Sequence, residues 1–446
     1  MAQGRRVNPF LLVVIAFLGV MFLGAILLGQ NWASSSGLKT DFIDALFTSA
    51  SALFVTGLAV LETGTHWSFW GQLIILLLIQ TGALGVVTIG GYIAYLLGQR
   101  FYYADRMLIG DNLGFGNKGE AIKVLKLVVR YVFLIELFGA LLLTFNFLFH
   151  GFDLTQALWH GVFHAVSAFA NAGFDVFALG TSAQTLFEIG FALEIVMLLI
   201  VLGGLGFPVW LDVLEKIKKR SAHQISFHSR IVLLMNIALI VLGTLAFCFL
   251  ERENRLPLVG QAQHLRESIF HSVSARTAGF SVYDLSTMSK PSLVVLMSLM
   301  FVGGSPASTA GGIKVTVALV LVLMLWGTIR GDLSLQVMKK KISLKTAFRG
   351  LSLAVISALL IVFSLIALEV FDNPPFLSAL FESVSAMGTV GLSLGLTGNL
   401  SVLSKLVLIL LMFMGRVGLY VLLYGLIFYA KRHNVIKKYP KADICL

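Results

Sequence analysis

Charge is what this 446-residue chain has least of: Asp, Glu, Lys and Arg make up 12% of it, against 58% hydrophobic residues and a mean hydropathy of +0.91. So little polar surface cannot cover a water-soluble particle of this length. Apolar runs near the length of about 20 residues that spans a hydrocarbon core imply a polytopic membrane protein instead. Cysteine is almost missing, and Cys248 and Cys445 fall on opposite expected sides, which argues against a disulfide between them. The chain has no Gly-x-x-x-x-Gly-Lys-Ser/Thr sequence, so it carries no phosphate loop for ATP hydrolysis. It has no His-Glu-x-x-His or other metal-ligand spacing either, and His160, His164 and His271 read as structural. Acids within apolar runs are few, Glu136 and Glu194, which argues against a proton-relay pump. A membrane-embedded enzyme needs clustered His, Asp or Cys at one depth, and no such cluster is visible; the expectation is a non-enzyme.

The net charge of +11 is distributed in a way that argues against nucleic acid. Basic residues gather at Arg5 and Arg6, around Arg100 and Arg106, at 216–220, at 330–349 and at 431–441, alternating with segments that hold Asp41, Glu62, Asp153, Asp175, Asp284 and Asp372. This is the positive-inside bias. It puts both termini and three basic loops in the cytoplasm. The run 10–28 follows two arginines as a signal peptide would, but lacks a small-residue cleavage site and is read as a retained helix.

What is present in quantity is repetition. Phe381-Glu-Ser-Val-Ser385 leads to Gly388-Thr389-Val390-Gly391-Leu392, a small-residue helix pattern running into an extended, glycine-rich segment. The same unit occurs as Phe47-Thr-Ser-Ala-Ser51 before Val55-Thr56-Gly57-Leu58, as Phe163-His-Ala-Val-Ser167 before Asn171-Ala172-Gly173-Phe174, and as Phe270-His-Ser-Val-Ser274 before Arg276-Thr277-Ala278-Gly279-Phe280. Serine follows phenylalanine by four residues each time, and glycine follows serine by six residues in three copies and five in the third. Four copies in one chain imply pseudo-fourfold symmetry about an axis. Glycine permits backbone angles closed to other residues, so successive carbonyls can turn to one side, as in filters where carbonyl rings replace the hydration shell of potassium. The four glycine segments fall on the outer side. Between Asp41 and Trp70 too few residues exist to cross twice, so the segment enters and returns among spanning helices.

The expected fold class is therefore an all-α polytopic membrane protein of four helix, pore-helix, filter, helix repeats at 1–99, 100–220, 221–340 and 341–446. The expected elements are helices over 9–29 and 70–98 around 41–58, over 122–149 and 184–214 around 154–174, over 228–250 and 291–330 around 262–280, and over 347–371 and 401–430 around 375–392. The candidate ion-filter residues are Val55, Thr56, Gly57, Asn171, Ala172, Gly173, Thr277, Ala278, Gly279, Thr389, Val390 and Gly391. Their backbone oxygens are the expected ligands, with the side chains of Thr56, Asn171, Thr277 and Thr389 as scaffolding.

A second mark follows each copy: Gly82-Ala-Leu-Gly85, Gly203-Gly-Leu-Gly206, Gly303-Gly-Ser-Pro306 and Gly415-Arg-Val-Gly418. The first two read as small-residue helix packing. The third runs on as Gly303-Gly304-Ser305-Pro306-Ala307-Ser308-Thr309-Ala310-Gly311-Gly312, then Ile313-Lys314, and this should break its helix into a loop lining the aqueous path. Lys314 and Arg416 lie in apolar surroundings, where a cation faces a cavity or a partner. A barrier against the ion is the favoured role, and a carbonyl cap or salt bridge the alternative. Arg276 is expected to brace a short helix through carbonyls or an acid such as Glu382. Asp44 and Glu382 are expected near short-helix starts, facing the positive dipole end.

These motifs together resemble the membrane subunit of the Ktr/Trk/HKT superfamily of potassium transporters, nearest the bacterial KtrB or KtrD type. The resemblance covers nearly the whole chain and rests on the four glycine copies, the interruption ending in Gly312-Ile313-Lys314, and the intramembrane Arg416. It implies a homodimer in the bacterial plasma membrane, each protomer with its own pore. It also implies a cytoplasmic RCK-domain ring of the KtrA/KtrC type, binding ATP or ADP and docking on the basic loops and tail. By the same resemblance potassium is the transported ion, sodium a candidate activator, and residues 303–314 with Lys314 and Arg416 the gate. In the family a serine at the first filter glycine goes with weaker potassium preference; all four positions are glycine here. The alternative is a secondary transporter of a small solute, a class usually built from inverted halves with broken helices.

Overall fold

At membrane depth every backbone amide needs a partner within the protein, and helices supply one for all but their ends. The computed structural model describes residues 9–85, 88–89, 91–92, 95, 121–177, 190–219, 224–331 and 335–417, and these are almost entirely helical. The first quarter contributes α1 (Pro9–Leu28), α2 (Phe42–Leu53) and α3 (Phe69–Leu84). The second contributes α4 (Ala121–Phe149), α5 (Leu154–Ala170), α6 (Ala192–Gly204) and α7 (Phe207–Lys219). The third has α8 (Phe227–Leu250), α9 (Arg252–Val259), α10 (Gln261–Ser274), α11 (Lys290–Phe301) and α12 (Val315–Arg330). The fourth has α13 (Leu344–Asp372), α14 (Phe376–Gly388) and α15 (Val402–Val417). A two-stranded hairpin, β1 (Gln336–Val337) against antiparallel β2 (Lys340–Lys341), is the exception to an all-helical reading.

Among the described residues α4, α8 and α13 are long and apolar enough to cross a hydrocarbon core, and α6 with α7 makes a fourth span if the bent pair is counted as one. Exposed Phe133, Leu137, Phe138 and Phe145 cover the outward face of α4, as a lipid-facing surface requires. The core lies around α2, α5, α10 and α14, the short helices of the four copies. The recurrent phenylalanines Phe47, Phe163, Phe270 and Phe381 are each fully buried there, which gives that part of the repeat its physical reason.

Each short helix packs on the long helix that opens its own quarter, α2 on α1, α5 on α4, α10 on α8 and α14 on α13. Each quarter's closing helix then packs on the next quarter's short helix: α3 on α5, α6 on α10, α11 on α14, and α15 back on α2. The quarters thus stand in cyclic order and close.

Two of the long runs are broken, one as expected and one expected to be continuous. The run expected over 291–330 divides at 302–314, as Pro306 and the glycines predict. The run expected over 184–214 divides at Leu205 and Gly206, with 101° between α6 and α7. Gly206 adopts φ +90° and Gly85 φ +84°, values that end a right-handed helix. Packing was therefore only half of what the first two glycine marks encode. Arg5, Arg6, the basic stretch around Arg100 and Arg106, Gly418 and the tail from 419 lie outside the described residues, as do parts of the helices expected over 70–98, 184–214 and 401–430.

Candidate functional site

All four short helices end just before their glycine segment, so the negative ends of four helix dipoles approach one place. The backbone then alternates in hand. Val55, Asn171, Thr277 and Thr389 have φ of +56°, +59°, +79° and +48°, and Gly57, Gly173, Gly279 and Gly391, two residues on, have φ of +93°, +71°, +78° and +92°. The residues between, Thr56, Ala172, Ala278 and Val390, stay out of the left-handed region. Alternating hands turn successive carbonyls toward one side of a segment. A non-glycine residue held left-handed costs about 1–3 kcal/mol and persists only where its surroundings impose it, which is typical of functional sites.

The four segments form a ring. A Cβ placed on Gly57 would overlap the carbonyl oxygen of Ala172. One on Gly173 would lie 2.8 Å from Gly279 Cα and 2.9 Å from Ala278 O; one on Gly279 would overlap Val390 O, and one on Gly391 would overlap Thr56 O. The contacts run first to second, second to third, third to fourth, and fourth to first copy.

The recurrent serines hold these segments to their helices. Ser51 Oγ accepts from Gly57 N at 3.0 Å and Ser385 Oγ from Gly391 N at 3.1 Å, while Ser167 Oγ donates to Phe174 O at 2.6 Å and Ser274 Oγ donates to Phe280 O. The serine carbonyl accepts from the amide five residues on in copies one, two and four, and four residues on in the third, which absorbs the missing residue. Closing-helix glycines admit the ends of the short helices: a Cβ on Gly82, Gly203 or Gly415 would overlap the carbonyl of Leu53, Phe169 or Met387. The hydroxyls of Thr56, Thr277 and Thr389 are buried without a hydrogen-bond partner, so these side chains meet their surroundings through packing alone. Asn171 differs, with its carboxamide 2.9 Å from Thr309 Oγ1.

Residues 302–314 lie against this ring. Val302 and Ile313 form a bridge that closes the neck of the loop, and Val315 N donates to Gly304 O at 3.1 Å. Toward the second quarter, Ser305 N donates to Gly204 O (3.1 Å), Phe207 N to Ala307 O (2.9 Å) and Thr309 Oγ1 to Phe169 O (3.1 Å). Toward the fourth, a Cβ on Gly311 would overlap Thr389, and one on Gly312 would sit 3.2 Å from Gly388 O. Lys314 Nζ donates to Ala310 O at 2.7 Å and Gly311 O at 3.3 Å. Arg416 donates to Thr309 O and, from Nη2, to Gly82 O (2.7 Å) and Ala83 O (3.3 Å). Both cations therefore take the carbonyl-capping arrangement, and Arg416 joins the loop to the first quarter. Of the sequence-selected gate residues, Gly303, Gly304, Ser308 and Ala310 complete this stretch, and Ser308 Oγ donates to Ser305 O at 2.7 Å.

Two expected placements change, and a third residue gains a partner. Arg276 does not reach Glu382; its guanidinium donates to Asn236 Oδ1 on α8. Glu382 lies midway along α14 rather than at its start, and accepts from Ser393 Oγ and from Thr397 Oγ1 (3.0 Å), pinning the chain beyond Gly391. Asp44 does sit in the first turn of α2, but it also pairs with Lys405 Nζ at 2.7 Å, across the seam between fourth and first quarters. A regularity was legible and went unread. The residue after each repeat phenylalanine is polar: Thr48, His164, His271, Glu382. All are buried, and the last three touch the return segment of their own copy, His164 stacking on Phe177 at 4.6 Å and His271 meeting Tyr283 edge-on at 4.6 Å. Among the described residues no group of His, Cys, Asp and Glu is placed to hold a metal ion, and the three histidines do not converge on one.

The family described as TrkH, cation transport protein, matches residues 5–431. The potassium/sodium uptake protein NtpJ of Enterococcus hirae is 35% identical over 99% of this chain and 98% of its own length. The Ktr system potassium uptake protein B of Bacillus subtilis is 33% identical over 98% and 97%. The crystal structure of the potassium transporter TrkH from Vibrio parahaemolyticus superposes with a TM-score of 0.72 at 19% identity, covering 95% of this chain and 86% of that one, which shows a shared fold. With its ring, its loop and a match along nearly its whole length, the chain belongs to the TrkH family of cation transport proteins.

Proposed function

We propose that this chain is the ion-translocating membrane subunit of a bacterial potassium uptake system. Potassium moves down its electrochemical gradient through the ring of carbonyls contributed by the segments ending at Gly57, Gly173, Gly279 and Gly391. The observation that carries this reading is the closed cyclic contact of four glycine segments with the same alternation of backbone hand. Carbonyl oxygens arranged about one axis offer an ion an exchange for its hydration shell, and four helix C-termini favour a cation over an anion.

Residues 303–314 form the gate in this reading. With the loop seated, its backbone and the cations Lys314 and Arg416 stand in the path. When it leaves, the carbonyl of Thr309 gives up its bond to Arg416. The four quarters act as four repeats at 1–99, 100–220, 221–340 and 341–446, with both termini and the basic loops on the cytoplasmic side. Two such chains associate, each keeping its own pore. The basic loops receive a cytoplasmic ring of nucleotide-binding RCK subunits that moves the gate, with sodium as an activating ion.

The test is flux in liposomes reconstituted with the purified chain, under imposed potassium and sodium gradients. Potassium-selective flux that rises on deleting residues 305–311 is the expected result. No cation flux from either protein would overturn the reading in favour of a small-solute transporter.

A further inference from the structure

Copy three alone carries a charge at the position three residues before its ring glycine. Phe54, Ala170 and Gly388 stand there in the other copies, and Arg276 stands there in the third. Arg276 is buried and directly precedes Thr277, whose backbone is left-handed at φ +79°. Its guanidinium donates to Asn236 Oδ1, and its Nε has no partner. Asn236 is itself buried, and its Nδ2 has two acceptors, Val232 O at 2.7 Å and Ser305 Oγ at 3.1 Å. Ser305 belongs to the loop and is fastened there through its own amide to Gly204 O. One carboxamide thus holds the cation beside the ring with one end and the loop with the other.

We propose that Asn236 is a positioning residue linking the loop to the third ring segment, so that the ion preference of the pore depends on where the loop stands. The inference rests on the filter and gate reading above. A guanidinium at membrane depth stays only where a polar group faces it. When the loop withdraws, Ser305 Oγ leaves Nδ2, and Val232 O alone still holds that end of the carboxamide. Oδ1 is then held less firmly, and Arg276 and the strained Thr277 backbone beside it lose part of their restraint.

The experiment measures potassium and sodium flux from the full-length chain in liposomes, comparing wild type with Asn236→Leu, Asn236→Asp and Ser305→Ala. Asn236→Leu is expected to lower the potassium-to-sodium ratio by at least about fivefold, the low end of coupling between sites, without abolishing potassium flux. Asn236→Asp keeps an acceptor for Arg276 and accepts from the Ser305 hydroxyl, so it restores most of the ratio. Ser305→Ala removes only the loop end and lowers the ratio by less, in the same direction. A wild-type ratio in both Asn236→Leu and Ser305→Ala would overturn the link while leaving the filter reading standing. If Asn236→Leu does not yield folded protein, Ser305→Ala decides alone, and an unchanged ratio there overturns the proposal. A wild type with no potassium preference would overturn the filter reading, and this link with it.

Discussion

Gly57 tolerates no Cβ for two separate reasons: its φ is +93°, and the space beside it is filled by the Ala172 carbonyl. Gly57→Ser should therefore displace the ring itself, with the potassium-to-sodium flux ratio in liposomes falling at least about tenfold, the scale of a 1.4 kcal/mol change in relative ion binding. An unchanged ratio would remove Gly57 from the ion path. Arg416 makes the opposite prediction. Hydrogen bonds from a charged donor contribute about 1.5–3 kcal/mol each, so losing the one to Thr309 O in Arg416→Ala should shift the loop toward release and raise potassium flux about tenfold. Flux equal to wild type would mean the loop is held without it. The glycines were legible as residues because their spacing recurs. The partners of Arg276, Glu382 and Asp44 were not, because Asn236, Thr397 and Lys405 meet them only through the fold, and nothing local in the sequence distinguishes those partners from other polar residues.

At the scale of elements, the start of α5 shows how little sequence a short helix needs to be fixed. Asp153 caps it, and the hydroxyl and amide of Thr155 hold the Asp153 carboxyl below the usual carboxylate range. A carboxyl with a lowered native pKa stabilises the fold above its unfolded value, near pH 4, and loses that contribution as pH falls through the native one. Asp153→Ala should therefore lower the unfolding temperature in detergent at about pH 6, with the deficit shrinking toward about pH 3. A deficit independent of pH would assign the effect to something other than the carboxylate. Broken helices were legible unequally. Pro306 and its glycines announce an interruption, but Gly203-Gly-Leu-Gly206 reads the same whether the helix packs closely or bends, and here Gly203 packs and Gly206 bends.

The whole molecule is a closed circuit of four units, and the seam between last and first is the one that covalent order does not bring together. Asp44 and Lys405, partly buried, bridge it. Asp44→Asn should cost about 1–3 kcal/mol, between the values for exposed and fully buried pairs, read as a lower unfolding temperature in detergent. The exchanged pair Asp44→Lys with Lys405→Asp should recover part of it, and no recovery would mean the pair's contribution is not electrostatic. The four short helices were legible because their pattern is long and recurs four times. The cyclic contact of each closing helix with the next short helix was not, since every quarter looks alike to a reader who cannot see which neighbour it meets.

The glycine contacts of the ring have a consequence for genetics. Each glycine borders the backbone of the following copy, so a bulky substitution at Gly57 injures the second copy's glycine segment at Ala172 and Gly173. Second-site suppressors of such a lesion should accordingly map one quarter onward, around 170–174, and suppressors of a Gly391 lesion should map to the opposite end of the gene, around 54–58.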